Sequence, residues 1–110
     1  MPSPNVLFID DMSFDAEVLG SPIPFLLDIT ATWCGPCKAL SPVIDRLADA
    51  HVGRVRVGKL DIDQATATAT RLGVRGAPTV VAFRDGKEVG RRVGLSSADK
   101  LLALLAQGAG

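Results

Sequence analysis

The sequence has little of what metal sites, disulfide frameworks, nucleic-acid binders and membrane spans are built from. It contains two cysteines and one histidine. Zinc takes four protein ligands, or three and a water. His51 stands far along the chain from Cys34 and Cys37, so a metal site would have to be shared across a dimer. Two cysteines make no framework, and a chain of 110 residues buries a core without one. Basic and acidic residues balance at 12 each, and Arg91–Arg92 is the one adjacent basic pair, so the electrostatic footprint of a nucleic-acid binder is missing. No apolar run approaches the length of a membrane span. The opening MPSPNVLFID has neither the basic stretch nor the apolar run of a secretory signal. The expectation is a single domain over residues 1–110, cytoplasmic, with no nucleic-acid and no membrane partner. Thiols are kept reduced in that compartment, which argues against a structural staple.

What is present is an alternation of strand and helix patterns. Val6–Ile9 reads as a short strand, followed by a helix with Ser13 as N-cap and Phe14 and Val18 on one side. PFLLDIT, Pro24–Thr30, is apolar on both faces apart from Asp28, as in a central strand covered on both sides. Leu40, Val43, Ile44, Leu47 and Ala48 recur at helical spacing, which predicts an amphipathic helix from about Cys34 to His51 with a kink at Pro42. Arg54–Asp63 reads as a strand with Val55, Val57 and Lys59 on one face, and a lysine on an apolar face asks for a partner. ATATAT, Ala65–Thr70, reads weakly as a helix closed by Gly73. Thr79–Arg84 and Glu88–Val93 form a hairpin about Asp85–Gly86. The last helix opens with Ser96 and Asp99 in capping-box spacing and carries Leu101, Leu104 and Leu105 on one stripe. The order β-α-β-α-β-α-β-β-α predicts an α/β fold: right-handed parallel crossovers plus a terminal antiparallel hairpin, in a mixed sheet between helices.

The cysteines close on the start of the longest helix. Positions i and i+3 share one side of a helix, and small adjustments in its first turn bring two Cβ atoms within disulfide reach. Unpaired N–H groups and the helix dipole there favour a thiolate, more so for Cys34 at the extreme end, which is expected to be the more exposed of the two. Pro36 fits the first turn because it has no N–H to leave unpaired. Asp28 lies in an apolar run where a carboxylate is costly, and its presence there points to a use. Trp33 is expected to be partly exposed beside the cysteines, and His51 to have no catalytic part.

WCGPC, Trp33–Cys37, resembles the active-site motif of the thioredoxin family, and a Cys-x-x-Cys beside a βαβ pattern is an established signature of such redox proteins. The similarity continues in family order through DDMSFDAEVL, LDIDQ, GAPT, DGKEV and VGLSS. It implies a thioredoxin fold, a central mixed five-stranded sheet flanked by four helices. It also implies a thiol–disulfide oxidoreductase with no metal or organic cofactor, its redox group being a Cys34–Cys37 disulfide. Cys34 is then the attacking thiolate, Cys37 the resolving thiol, Asp28 the buried carboxylate beneath it and Lys59 the neighbour of that carboxylate. Pro78 is implied to be a cis-proline facing the disulfide. Trp33, Gly35 and Pro36, with Gly76, Ala77 and Gly94, would make up the surface that meets substrate. Ala77 is smaller than the residue the family usually carries, so the groove wall should be shallower, and Thr30 stands in a place usually aromatic. The implied partners are disulfide-containing proteins and a thioredoxin reductase, and a monomer is expected. The rival reading is a docking subunit that uses the apolar surface around the same residues without chemistry.

Overall fold

A computed structural model describes residues 2–106. The expected domain bounds, 1 and 110, lie outside the described residues. Strands β1 (Val6–Ile9), β2 (Phe25–Thr30), β3 (Arg56–Asp61), β4 (Thr79–Arg84) and β5 (Lys87–Val93) form one sheet in the order β1-β3-β2-β4-β5. β1, β3 and β2 run parallel, and β4 and β5 are antiparallel to their neighbours. The element order and the mixed five-stranded sheet agree with the sequence reading.

β2 lies at the centre with every residue but Thr30 buried. Its alternate side chains serve two separate cores, which is why the run is apolar throughout. Leu26 packs with Leu40, Ile44 and Leu47 of helix α1 (Gly35–Ala50) and Leu101 and Leu104 of helix α3 (Ala98–Leu104). Phe25, Leu27 and Ile29 face the other side, with Phe14 and Val18 around the π-wound segment Asp15–Leu19 and Ala65 and Val74 flanking helix α2 (Thr66–Leu72). Each fully buried side chain of this size contributes roughly 1.5–3 kcal/mol. Gly58 of β3 is required by the second core: a Cβ there would lie 2.9 Å from Ile9 Cγ1 and from Phe25 Cζ.

Several boundaries moved for local reasons. β3 is shorter than expected because the N–H groups of Arg54 and Val55 both turn back to the His51 carbonyl, and at its far end Asp61 accepts the N–H groups of Asp63, Gln64 and Ala65. Ser13 is not the cap of the first helical segment. That position is Phe14, with no side-chain cap; Asp10 and Ser13 close the turn before it, the Asp10 carboxylate accepting the Met12 and Ser13 N–H groups while Ser13 Oγ accepts the Asp10 N–H. In α3 the cap is Ser97, which accepts the Lys100 N–H, because the Ser96 hydroxyl is engaged by Arg92 Nε at 2.8 Å. Helix α1 continues through Pro42. The hairpin turn is as expected, Asp85 and Gly86 both having positive φ, 54° and 76°.

Helix α2 has no side-chain cap of its own. Asp11, just beyond β1, supplies one from 57 residues away in sequence: its Oδ1 accepts the Thr68 N–H at 2.8 Å and the Thr68 hydroxyl at 2.6 Å. The chain order therefore brings three loops to one end of the sheet. They leave β2 after Thr30, leave β3 after Asp61 and enter β4 at Thr79, and in register Thr30 stands beside Asp61 and Ile29 beside Thr79. Such an end, where connections diverge from neighbouring strands, is the usual place for a site in an open α/β sheet.

Candidate active site

Cys34 is the N-cap of α1, with extended backbone angles, and Cys37 lies one turn in; the two sulfurs form a disulfide with their Cα atoms 5.3 Å apart. The Cys37 N–H donates to Cys34 Sγ at 3.1 Å. An N-cap side chain accepts such an N–H in most helices; here the acceptor is a redox-active sulfur. When the bond is reduced, the same donor and the helix dipole stabilise a Cys34 thiolate. The expected difference in exposure is absent: Cys34 is 4 % and Cys37 3 % exposed, both packed with Ala31, Ile62 and Ala77. What separates them is position on the helix.

The Ala77–Pro78 peptide bond is cis, and the Ala77 carbonyl oxygen lies 3.5 Å from Cys34 Sγ. The oxidised sulfur carries no proton, so this is a packing contact. Gly94, at φ 90°, donates its N–H to the Pro78 carbonyl at 2.9 Å and so joins the β5 end to the same loop. Thr79 Oγ1 donates to the Gly76 carbonyl at 2.8 Å, and a Cβ at Gly35, Gly76 or Gly94 would meet open space. Trp33 is 66 % exposed, with Val93 and Leu95 also exposed beyond β4. The structure thus gathers Trp33, Cys34, Gly35, Pro36 and Cys37 on one segment, with Ala77, Pro78 and Gly94 on loops that meet it.

Asp28 is 1 % exposed and its Oδ1 has no hydrogen-bond partner among the described residues. Burial is the main cause that pushes its carboxyl up to about 7, with the Lys59 charge opposing and the Asp45 charge reinforcing. Lys59 stands directly beside Asp28 in the parallel register of β2 and β3. Its ammonium, however, donates to Ser41 Oγ at 2.6 Å and to Asp45 Oδ1 at 3.2 Å, both on α1. The neighbour implied by resemblance is therefore a neighbour in the sheet whose charge is held by the helix.

Three contributors were missed by sequence reasoning. Asp63 accepts the Trp33 indole N–H at 2.6 Å and anchors that ring while leaving its face to solvent. Ser41 and Asp45, the partners of Lys59, are the other two. Their spacing was the available signal, since Cys37, Ser41 and Asp45 follow each other at i+4 and form one stripe of α1. His51 caps the far end of the 16-residue helix, about 24 Å from the cysteines at 1.5 Å per residue. Among the described residues no group of three His, Cys, Asp or Glu is arranged to hold a metal ion, and no helix is long and apolar enough to cross a membrane.

This geometry suits one chemistry: a helix-end sulfur that accepts an N–H, a second sulfur in bonding range, and an exposed collar on which another chain can lie. Comparison with known proteins agrees. The thioredoxin family profile matches residues 5–107. The chain is 43 % identical over 103 residues to the thioredoxin of Allochromatium vinosum, covering 94 % of this chain and 96 % of that one. It is 41 % identical over 103 residues to the thioredoxin of Pseudomonas aeruginosa (94 % and 95 %), and 43 % identical over 90 residues to that of Haemophilus influenzae (82 % and 84 %). The chain belongs to the thioredoxin family and is a thiol–disulfide oxidoreductase of the protein-disulfide reductase class.

Proposed function

We propose that this protein works as a single, monomeric, cytoplasmic domain that reduces disulfides in other proteins and is recycled by a thioredoxin reductase. The Cys34 thiolate attacks one sulfur of a substrate disulfide, forming a mixed disulfide and releasing the other sulfur as a thiolate. Cys37 loses its proton to Asp28 and attacks Cys34 Sγ; the second substrate thiolate leaves, and the Cys34–Cys37 bond forms. Two electrons pass to the substrate, and the cysteine pair is left oxidised until the reductase returns them. Lys59 acts on Asp28 by its charge. Trp33, Gly35 and Pro36 on one side and Gly76, Ala77, Pro78 and Gly94 on the other receive the substrate backbone.

The observation that carries this reading is the Cys37 N–H to Cys34 Sγ bond at the helix end, which favours a thiolate at Cys34 over one at Cys37 and so supports Cys34 as the attacking sulfur. The test is reduction of insulin by the full chain coupled to a thioredoxin reductase. The wild type is expected to accelerate it, and the Cys34→Ser, Cys37→Ser double variant to lose all acceleration. Acceleration that survives in the double variant refutes dithiol exchange and favours docking.

A further inference from the structure

Asp28 and Lys59 are paired by sheet register but not by hydrogen bonding. The Lys59 side chain is only 14 % exposed and Asp45 16 %, and the ammonium is held by two groups four residues apart on α1. That leaves the buried Asp28 Oδ1 without a donor although a cation stands on the adjacent strand. An ammonium with three donor hydrogens would ordinarily turn to the nearest uncompensated buried carboxyl, because an unpaired group there costs far more than a partly solvated pair returns. Here it donates instead to the Ser41 hydroxyl and the Asp45 carboxylate on α1. Both lie on the stripe of α1 that begins at Cys37, so the arrangement ties the helix carrying the resolving sulfur to β3, the strand next to the one carrying the base.

We propose that Ser41 and Asp45 are positioning residues for proton transfer at this site: they hold the Lys59 ammonium against α1 and so withhold the counter-ion from Asp28. This rests on the reading of Asp28 as the proton acceptor for Cys37. A carboxylate fully paired with Lys59 would be too weak a base for a thiol, and one with no cation nearby would hold its proton too long. The clamp sets the intermediate case. The other groups around Asp28 do not compete for the role. β4 places Val80 beside it, α3 brings apolar Leu101 and Leu104 to that core, and Lys38 and Arg46 of α1 line the outer groove next to Asp45.

The test is a carboxyl-carbon NMR titration of Asp28 in the full chain, with the pH profile of mixed-disulfide resolution measured alongside. Asp45→Asn removes a like charge and frees Lys59 to turn to Asp28, so the Asp28 midpoint should fall by about one unit. Ser41→Ala, a milder change that keeps α1 intact, should lower it by less. Lys59→Met should raise it, and in that background Asp45→Asn should have a reduced effect. The resolution profile should move with the carboxyl midpoint in each variant. A midpoint that stays in place or rises in Asp45→Asn or Ser41→Ala overturns the clamp and leaves the proton-acceptor reading standing. A midpoint that moves while the resolution profile does not overturns that reading, and with it the catalytic purpose of the clamp.

Discussion

The backbone N–H of Cys37 points at the sulfur of Cys34, 3.1 Å away, and the relation is not reciprocal. Since both cysteines are buried to the same degree, reactivity in the reduced protein is decided by this donor and by the helix end. Limiting iodoacetamide near neutral pH should label Cys34 first, as read by peptide mass spectrometry. Preferential label on Cys37 would reverse the assigned roles.

The same asymmetry predicts trapping. With the proposed roles, Cys37→Ser retains the attacking sulfur and loses the resolving one, so mixed disulfides with substrate proteins should accumulate on non-reducing gels. Cys34→Ser should accumulate almost none. Equal accumulation in both variants would mean that the two sulfurs are interchangeable.

Asp28→Asn should stabilise the protein in a pH-dependent way. With the folded carboxyl at about 7 against 3.8, the native state keeps a proton that the unfolded chain releases. Stability therefore falls as pH rises from about 4 to about 7 and is level above that. Asn removes this loss, so the gain should grow across that window to at most about 4 kcal/mol in denaturant melts at pH 8. Resolution of the mixed disulfide should slow in the same variant. An Asn variant that is less stable than wild type yet fully active would make Asp28 purely structural.

Asp11 is a long-range cap, and its carboxyl is held below its usual range chiefly by the Thr68 hydroxyl and N–H. The stability it contributes is present above the unfolded value and is lost as pH falls through the depressed folded one. Asp11→Ala should abolish amide-exchange protection at Ala67 and Thr68, whose N–H groups donate to its Oδ2 and Oδ1, and loosen α2 while leaving α1 protected. Unchanged protection at Thr68 would show that the helix holds without it.

Gly58→Ala should destabilise by about 1–3 kcal/mol, since the new methyl meets two buried side chains already in close packing and both must shift. Thermal or denaturant melts measure it. A neutral result would mean that Ile9 and Phe25 have room the packing does not indicate.

Much of this molecule is legible along the chain because the relevant physics is local. The double-sided apolar run of β2 reports burial between two helical layers, the stripe from Leu40 to Ala48 reports a helix with one buried face, and Asp85–Gly86 reports a turn needing two positive φ angles. The pairing of Cys34 with Cys37 is legible for the same reason: three residues at a helix start span a disulfide.

Other features were decided only by folding. Ser96 lost its capping role to Ser97 because Arg92 reached its hydroxyl, and α2 is capped by Asp11 because the loop after β1 passes over its first turn. Trp33 found Asp63, and Lys59 found Ser41 and Asp45 rather than Asp28, because a long polar side chain binds whatever partner the packed layers set within about 3 Å. A periodic pattern records which face a residue points to. Which group waits on the opposite wall depends on how helix and sheet dock, and no spacing in the sequence encodes that distance.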